Sequence, residues 1–124
     1  MNYKRQKTER RNTALETIDS FRGKHFFLSN FYPAIVEYNG HEYLNNEAAF
    51  QAQKVLDVKQ QMPFTQLSPK DAKRRGRKVK LRSDWEDVKD GIMEEIVRAK
   101  FSQNKDLGEK LIATEDATLI KVNT

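Results

Sequence analysis

The most informative stretch of the sequence is Phe21–Lys54, FRGKHFFLSNFYPAIVEYNGHEYLNNEAAFQAQK. It contains an aromatic segment with polar residues, a tight turn between two short apolar runs, and a helical pattern. The turn is Asn39-Gly40, a dipeptide typical of two-residue β-hairpins, and it lies between Ile35–Tyr38 and His41–Leu44. The sequence therefore predicts a hairpin that leads directly into a helix.

The helix after the hairpin carries polar residues on one side. Asn45 or Asn46 can cap its first turn, which begins near Glu47. At about 100° per residue, Glu47, Gln51 and Lys54 lie within about 60° of one another. The separate apolar side is formed by Ala48, Ala52, Val55 and Leu56. Such a helix either turns its polar side to water or lines a cleft between packed elements.

Further motifs follow in order along the chain. After QAQK come SPKDAKRRGRKVKLRSDW, then Lys89 and Met93, then KFSQN and a Leu-x-x-x-Leu pattern. Together with FLSNFYP and the Asn-Gly hairpin, this series resembles the NADAR (YbiA-like) superfamily of N-glycosidases, from about Ile18 to the last residue. The resemblance implies a small α+β fold, mostly helical with a short β-hairpin layer. It also implies a family domain at 18–124 that follows a basic N-terminal extension at 1–17.

Two features depart from the family pattern. Family members commonly carry a histidine or tyrosine after the acid that opens the helix, whereas Ala48 follows Glu47 here. They also usually continue past the point that matches Val122–Thr124, into a tryptophan- and glycine-rich segment and a final helix. We therefore expect a C-terminally short form of the domain, which is a truncated gene product, a phage-type remnant or a compact variant. If the missing residues complete the pocket and core, we expect it to be weakly stable or inactive.

The composition indicates one small domain of 124 residues, with 37% hydrophobic and 33% charged residues. No apolar run is long enough for a membrane span. The N-terminus has no hydrophobic segment of the kind that a signal peptide needs, and the chain has no cysteine, so we expect a cytoplasmic protein. The two histidines, His25 and His41, lack metal-ligand spacing, so we expect no metal site.

The net charge of +5 is concentrated in two places. Eight basic residues fall within Lys70–Arg82, and five more lie in the N-terminal extension. Such clusters suit phosphate-bearing ligands or nucleic acid, and they are also compatible with a solvated helix face. Nucleic acid is therefore a candidate partner through Lys70–Arg82, whereas no membrane partner is expected. Nothing in the sequence indicates an oligomeric state.

The remaining elements follow from local signals. Ser68 opens a helix that ends at Gly76, and the capping box Ser83–Glu86 opens the longest helix, which runs to about Lys100. We further expect strands at His25–Leu28 and Ala117–Val122, an irregular connection at Gln60–Leu67, and a last helix at Lys105–Ala113 capped by Asn104.

Two lysines lie within the apolar stripe of the longest helix. Lysine is rarely buried unless it is paired, so Lys89 and Lys100 either extend to water along the core or point into a polar cleft. They are about 16 Å apart along the helix axis and cannot both serve one small site. We choose Lys89 for the site, because it lies beside Trp85 and nearer the basic cluster.

The residues permit cleavage of an N-glycosidic bond, the reaction that the resemblance implies. Glu47 can stabilise an oxocarbenium-like centre or activate water. Lys54 can tune Glu47 electrostatically or act directly, including through a Schiff base with an opened sugar. These two are the expected catalytic residues. The expected substrate-binding residues are those that can hold a phosphate (Arg22, Arg77 and Lys89), orient a sugar or base edge (Ser29, Asn30 and Gln51), and either stack on a base or fill the core (Trp85).

Three functions are open at this point. Similar proteins hydrolyse ribosylamino-pyrimidine 5′-phosphates of the early riboflavin pathway and release ribose 5-phosphate, without a metal or organic cofactor. Others in the superfamily are linked to ADP-ribose, including its removal from guanine bases. The third alternative is an inactive, basic remnant that binds nucleic acid. In the first two, the partner is a small sugar phosphate or nucleotide substrate.

Overall fold

The architecture is mostly helical, with two small two-stranded sheets. The computed structural model describes residues 17–18, 23–114 and 118–119. The elements in chain order are β1 (Thr17–Ile18), a first 3₁₀ helix (Gly23–Leu28), β2 (Val36–Tyr38), β3 (His41–Tyr43), α1 (Asn46–Ala52), α2 (Val58–Gln61), a second 3₁₀ helix (Met62–Gln66), α3 (Pro69–Gly76), α4 (Trp85–Gln103), α5 (Lys105–Ala113) and β4 (Thr118–Leu119). The predicted class, a small α+β fold with a short hairpin layer, is confirmed. Within the described ranges, no helix has the length and apolar character needed to cross a membrane.

The hairpin forms where the Asn-Gly signal predicts it. β2 and β3 pair antiparallel, with Val36 opposite Tyr43. Asn39 and Gly40 have φ values of 53° and 91°, the left-handed conformation that a type I′ turn requires at both positions. Because facing residues of paired strands share one side of the sheet, this register buries Val36 and Tyr43 together.

The second sheet joins two segments that are distant in sequence. β1 pairs with β4 in parallel, with Thr17 opposite Thr118 and Ile18 opposite Leu119. The strand predicted at Ala117–Val122 is confirmed for the two residues of β4, and its other positions lie outside the described residues.

The strand predicted at His25–Leu28 is wrong, because this segment belongs to the first 3₁₀ helix. Gly23 enters the helix with a φ of 57°, and Ser29 N donates to Phe26 O at 2.8 Å, three residues back, as in a 3₁₀ turn. Aromatic residues favour strands, but no strand of the described segments pairs with this one.

The irregular connection predicted at Gln60–Leu67 is also wrong. α2 and the second 3₁₀ helix fill most of it. The Asp57 side chain caps α2 by accepting from Lys59 N at 2.9 Å. Pro63 lies at the start of the second 3₁₀ helix, where a missing N–H is tolerated.

Two of the predicted helix caps are confirmed. Asn45 Oδ1 accepts from Ala48 N at 2.7 Å at the start of α1. Ser68 Oγ accepts from Asp71 N at 3.2 Å at the start of α3. Both side chains satisfy a backbone N–H that has no partner within its own helix.

The capping box predicted for α4 is wrong. The helix begins after Asp84, whose side chain makes no capping bond. The Glu86 carboxylate, which the predicted box would place at Ser83 N, instead lies 2.8 Å from Lys89 Nζ. The Asp84 carboxylate accepts from Arg82 Nε at 2.6 Å and Nη2 at 3.1 Å. α4 also runs beyond the predicted end at Lys100, to Gln103.

Asn104 occupies the predicted N-cap position of α5, but its side chain makes no capping bond. Asn104 precedes α5, but its side-chain amide donates to Ile35 O at 3.0 Å and to Lys100 O at 2.9 Å. The side chain therefore ties the end of α4 to the hairpin, while the backbone oxygen of Asn104 accepts from Gly108 N at 3.0 Å at the start of α5.

α1 lies at the centre of the core. The elements packed around it are α3, α4, the hairpin and the second 3₁₀ helix. The fully buried apolar residues are Val36, Tyr43, Ala48, Ala49, Ala52, Phe64, Ala72 and Ile96. Leu56, predicted on the apolar side of this helix, is instead 67% exposed. The prediction fails because α1 ends at Ala52 and helical spacing no longer applies beyond it.

Lys100 is the buried lysine of α4, with 1% of its surface exposed. Its Nζ donates to Phe27 O at 2.6 Å and to Ser29 O at 2.9 Å, which joins α4 to the end of the first 3₁₀ helix. The ammonium also lies 5.3 Å from the ring centre of Tyr32 and 5.0 Å from that of Phe101. Burial of the charge lowers the pKa of Lys100 to about 8.

This pKa predicts a pH-dependent stability. Because the pKa of Lys100 is lower in the folded chain than the ordinary 10.5, the unfolded chain binds more protons between these values. The free energy of unfolding of the unsubstituted chain should therefore rise with pH more than that of Lys100→Arg, because the guanidinium does not titrate. From about pH 7.5 to about pH 9.5 the expected gain is about 2 kcal/mol, measured by urea unfolding. A difference between the two proteins that is constant with pH would contradict the prediction.

Candidate active site

The polar side of α1 is buried, although it carries a carboxyl group. Glu47 is 5% exposed and Gln51 is 6% exposed. Gln51 Nε2 donates to Glu47 Oε2 at 2.7 Å, one helical turn apart. No donor in the described part of the chain reaches the other carboxylate oxygen. The helix therefore does not turn this side to water, and it presents a fixed carboxylate with one oxygen available for another partner.

Asn30 supports the first turn of α1 from outside the helix. Its backbone oxygen accepts from Glu47 N at 3.1 Å, and its Oδ1 accepts from Asn46 Nδ2 at 3.1 Å. Asn30 Nδ2 lies 3.6 Å from Met93 Sδ on α4. The structure thus brings Asn30 directly to the first turn of α1, whereas a contact of Asn30 with a substrate stays a prediction.

Ser29 is adjacent to this contact but uses its hydroxyl locally. Ser29 Oγ accepts from Phe31 N at 3.0 Å, and the residue is 3% exposed. The hydroxyl therefore shapes the turn that carries Asn30. A direct contact of Ser29 with a substrate stays a prediction.

Lys54 lies beyond the end of α1, in the turn that follows it. Its Nζ donates to Gly76 O at 3.3 Å, so it bridges to the last residue of α3. Burial lowers the pKa of Lys54, the negative charge of Glu47 raises it, and the positive charges of Arg77 and Lys73 lower it again. Although Lys54 is not on the helix as predicted, it remains within electrostatic reach of Glu47.

Gly76 allows α3 to approach the polar side of α1 closely. A Cβ atom built on Gly76 would lie 1.8 Å from Gln51 Oε1 and 2.7 Å from Gln51 Cδ. Any side chain at this position would therefore displace the Gln51 amide. The group that approaches Gly76 closely is therefore a side chain of the protein.

Arg82 holds the other end of α1. Its backbone N donates to Lys54 O at 2.8 Å, and its Nη1 donates to Gln53 O at 3.5 Å. The last carbonyl groups of a helix have no partner within it, so this arginine stabilises the turn that positions Lys54. From the sequence, Arg82 is recognised only as part of a basic cluster, because its contact joins segments that are distant in the chain.

Trp85 and Arg77 border this arrangement. Trp85 is buried, and its ring lies 5.1 Å from that of Phe50 on α1. This contact places Trp85 in the core beside the helix, and stacking on a base stays a prediction. Arg77 is exposed directly after Gly76. Arg22 lies outside the described residues.

Lys89 is placed differently from the prediction. Its Nζ lies 2.8 Å from Glu86 Oε1, one turn earlier on α4, and this carboxylate raises the pKa of Lys89. The acidic neighbour keeps the amine at the surface, whereas Lys100 points inward. The choice of Lys89 over Lys100 as the inward lysine is therefore wrong, and phosphate binding by Lys89 stays a prediction.

Sequence reasoning missed one further polar residue at the centre of this arrangement. Asn46 is 1% exposed, and it contacts Asn30 as described above. Its place in the first helical turn, next to Glu47, was the available signal. Among the residues that the structure describes, no group of three or more histidine or acidic side chains is placed to hold a metal ion.

The sequence matches a known domain family. The model of the NADAR domain family matches residues 19–124. N-glycosidase YbiA of Escherichia coli strain K12 is 38% identical over 97 residues, which make up 76% of this chain and 61% of YbiA. Riboflavin biosynthesis protein VVA0006 of Vibrio vulnificus is 38% identical over 100 residues, covering 77% of this chain and 27% of that protein. The chain thus spans less than two thirds of the length of these relatives.

A solved structure supports the same relationship. The NMR structure of E. coli YbiA superimposes with a TM-score of 0.72 and 35% identity, over 85% of this chain and 64% of that chain. The match over residues 19–124 and the shared fold show that this chain belongs to the NADAR domain family.

Proposed function

We propose that the chain hydrolyses the N-glycosidic bond of ribosylamino-pyrimidine phosphates of the riboflavin pathway, or of a related N-riboside, and releases ribose 5-phosphate. The observation that carries this proposal is the buried carboxylate of Glu47, which is oriented through one oxygen by Gln51. The names of the relatives, N-glycosidase and riboflavin biosynthesis protein, support the reaction and the substrate class.

In this reaction the ribosyl group moves from nitrogen to water. The bond between C1′ and the nitrogen breaks, the ring oxygen shares the positive charge at C1′, and the oxygen of water binds C1′. The carboxylate of Glu47 is suited to face C1′, where it stabilises the developing charge and accepts a proton from the attacking water. The departing nitrogen takes a proton and leaves as an amine.

We assign Lys54 to the leaving nitrogen. Burial lowers the pKa of its ammonium, and such a group releases a proton more readily than an exposed lysine does. Lys54 can therefore protonate the departing nitrogen, and the proton that Glu47 accepts restores the charge balance. A Schiff base between Lys54 and an opened sugar is the alternative direct role.

The substrate phosphate is assigned to the basic residues after α3. Gly76 contacts both Gln51 and Lys54, so the residues that follow it border the candidate site. Arg77 is exposed there, and a guanidinium can bind a phosphate through two parallel hydrogen bonds. The other proposed substrate contacts are Arg22, Ser29, Asn30, Gln51, Trp85 and Lys89.

The exposed surface of α3 and the residues after it favours a second candidate function. Its exposed basic residues are Lys70, Arg74, Arg75, Arg77, Lys78 and Lys80. Among them, Arg74 pairs with Asp71 at 3.2 Å. A positive surface next to the site suits a substrate with more than one phosphate, such as ADP-ribose on a guanine base, or a nucleic acid.

Glu47→Gln should remove hydrolysis while keeping the fold. The amide has nearly the same shape as the carboxylate but neither stabilises a positive centre nor accepts a proton, so a loss of about a thousandfold is expected. The measurement is release of ribose 5-phosphate from a riboflavin-pathway ribosylamino-pyrimidine phosphate. Glu42→Gln is the matched control, because Glu42 is exposed on β3 and should leave the rate unchanged.

Release by Glu47→Gln at the rate of the unsubstituted chain would contradict the proposal. A folded chain that releases no ribose 5-phosphate would also contradict it, and two binding experiments then separate the alternatives. A rise of Tm with ADP-ribose that is lost in Arg77→Ala indicates an ADP-ribose-directed protein. Steeply salt-dependent binding of DNA or RNA that survives Glu47→Gln, but falls with substitutions in Lys73–Lys78, indicates the nucleic-acid function.

Substitutions of Lys54 separate proton transfer from electrostatic support. Lys54→Met and Lys54→Arg should each lower kcat about a hundredfold, because arginine keeps the charge but does not release a proton. In the unsubstituted chain, activity should fall as pH rises through the lowered pKa of Lys54, which lies below the ordinary 10.5, since the protonated form reacts. Full activity of Lys54→Arg would leave only the electrostatic role. A covalent sugar adduct after borohydride treatment would assign the Schiff base instead.

Gly76→Ala should disturb the site through Gln51. The added methyl group overlaps Gln51 Oε1, so we expect both a lower kcat and a free energy of unfolding reduced by about 1–3 kcal/mol. Gly91→Ala is the matched control, because Gly91 lies in α4 with nothing within 4 Å of its added Cβ. That substitution should stabilise the helix by about 1 kcal/mol. Equal effects of the two substitutions in thermal unfolding and in kcat would contradict the close approach of α3 to Gln51.

A further inference from the structure

Lys100 is a buried cation that the proposed reaction does not use. It lies on α4, and none of the ion pairs formed by the described residues includes it. Its ammonium is held by the backbone oxygens of Phe27 and Ser29, at 2.6 and 2.9 Å, and by the faces of two aromatic rings. A charge without a carboxylate partner is costly to bury, so its location calls for a physical reason.

The two carbonyl groups belong to the turn that ends the first 3₁₀ helix. Ser29 O also accepts from Tyr32 N at 3.2 Å, and Ser29 Oγ accepts from Phe31 N at 3.0 Å. The turn between Phe27 and Tyr32 is therefore closed by its own hydrogen bonds on one side and by the ammonium on the other. The turn is joined to the rest of the fold by the ammonium of Lys100 and by the hydrogen bonds of Asn30, and the Phe27 ring packs against that of Phe101 with ring centres 6.3 Å apart.

The next residue in this turn connects it to the candidate catalytic group. The backbone oxygen of Asn30 accepts from Glu47 N at 3.1 Å, and its side chain accepts from Asn46 at 3.1 Å. Asn30 therefore binds the first turn of α1, which presents the Glu47 carboxylate. A displacement of the turn changes the support of the helix end from which Glu47 projects.

We propose that Lys100 is a positioning residue for Glu47, acting through the two carbonyl groups of Phe27 and Ser29 and the Asn30 contact that follows them. The catalytic part of this inference, the effect of Lys100 on kcat, rests on the proposed function. Its structural part, the dependence of the Asn30–Glu47 hydrogen bond on the ammonium, is independent of any substrate.

The ammonium is suited to this position in a way that an apolar side chain is not. It offers three N–H donors, and two of them match the two carbonyl oxygens. The positive charge of the ammonium is also attracted to the aromatic faces of Tyr32 and Phe101. An apolar side chain of the same length would leave both carbonyl groups buried without a donor. The turn would then move to recover hydrogen bonds.

A chemical substitution isolates the ammonium from the side-chain volume. Lys100→Cys introduces the only thiol, because the chain has no cysteine. Alkylation of the unfolded chain with bromoethylamine restores an ammonium at the end of a thioether, and alkylation with iodopropane places a methyl group there. The two refolded forms differ only in that terminal group. Arg98→Cys, treated in the same two ways, is the control, because Arg98 is exposed on the same helix.

The first readout is hydrogen exchange at the Glu47 amide, followed by NMR. We expect the propyl form to show about tenfold less protection of this amide than the aminoethyl form, and equal protection of the Ala72 amide, which bonds to Ser68 O within α3. Equal protection of Glu47 in the two forms, with a lower Tm in the propyl form, would show a merely structural lysine and overturn the proposal. If the propyl form does not refold, the form alkylated with bromoethanol takes its place under the same criterion, because its neutral hydroxyl offers a single donor for the two carbonyl groups.

The second readout is kcat for release of ribose 5-phosphate, measured well below the Tm of each form. The aminoethyl form should exceed the propyl form about tenfold, whereas the two Arg98→Cys derivatives should be equal. Equal kcat values in the two Lys100 derivatives would overturn the catalytic part of the proposal. If the unsubstituted chain releases no ribose 5-phosphate, the proposed function fails, and the exchange experiment alone decides whether Lys100 positions Glu47.

Discussion

Burial of a short polar helix, α1, is the central constraint on this fold. α1 has only seven residues, so it has little stability of its own, and its surroundings must supply the hydrogen bonds that its ends lack. Asn30 and Asn45 accept hydrogen bonds from the N–H groups of its first turn. Arg82 donates to the carbonyl groups of the two residues that follow the helix. Each of these partners comes from outside the helix, which makes the orientation of α1 a property of the whole domain.

This arrangement links the candidate chemistry to the packing. The alanines of α1 allow α3 and α4 to approach closely, while its polar residues occupy the space that remains between the helices. Glu47 is therefore held by the core and not by a surface loop. A site built in this way is rigid, but it has few positions where a side chain can change size without moving the carboxylate.

Features determined by neighbouring residues could be predicted from the sequence. The Asn39-Gly40 turn, the Asn45 and Ser68 caps and the polar side of α1 are such features, and the family resemblance added the fold class. Several errors arise from contacts with distant segments. The Asn104 side chain donates to Ile35 O instead of capping α5, and Lys100 rather than Lys89 points inward because its partners lie more than seventy residues earlier.

The contact between Gly76 and Gln51 also has an evolutionary meaning. The two positions share one volume, since the absence of a side chain on α3 is what accommodates the amide on α1. A shorter residue at position 51 would free the space for a methyl group at position 76, so the two sites are expected to change as a pair during divergence. The interior of this small domain thus limits which single substitutions it can accept. A redesign of the site would begin by exchanging Gln51 and Gly76 together.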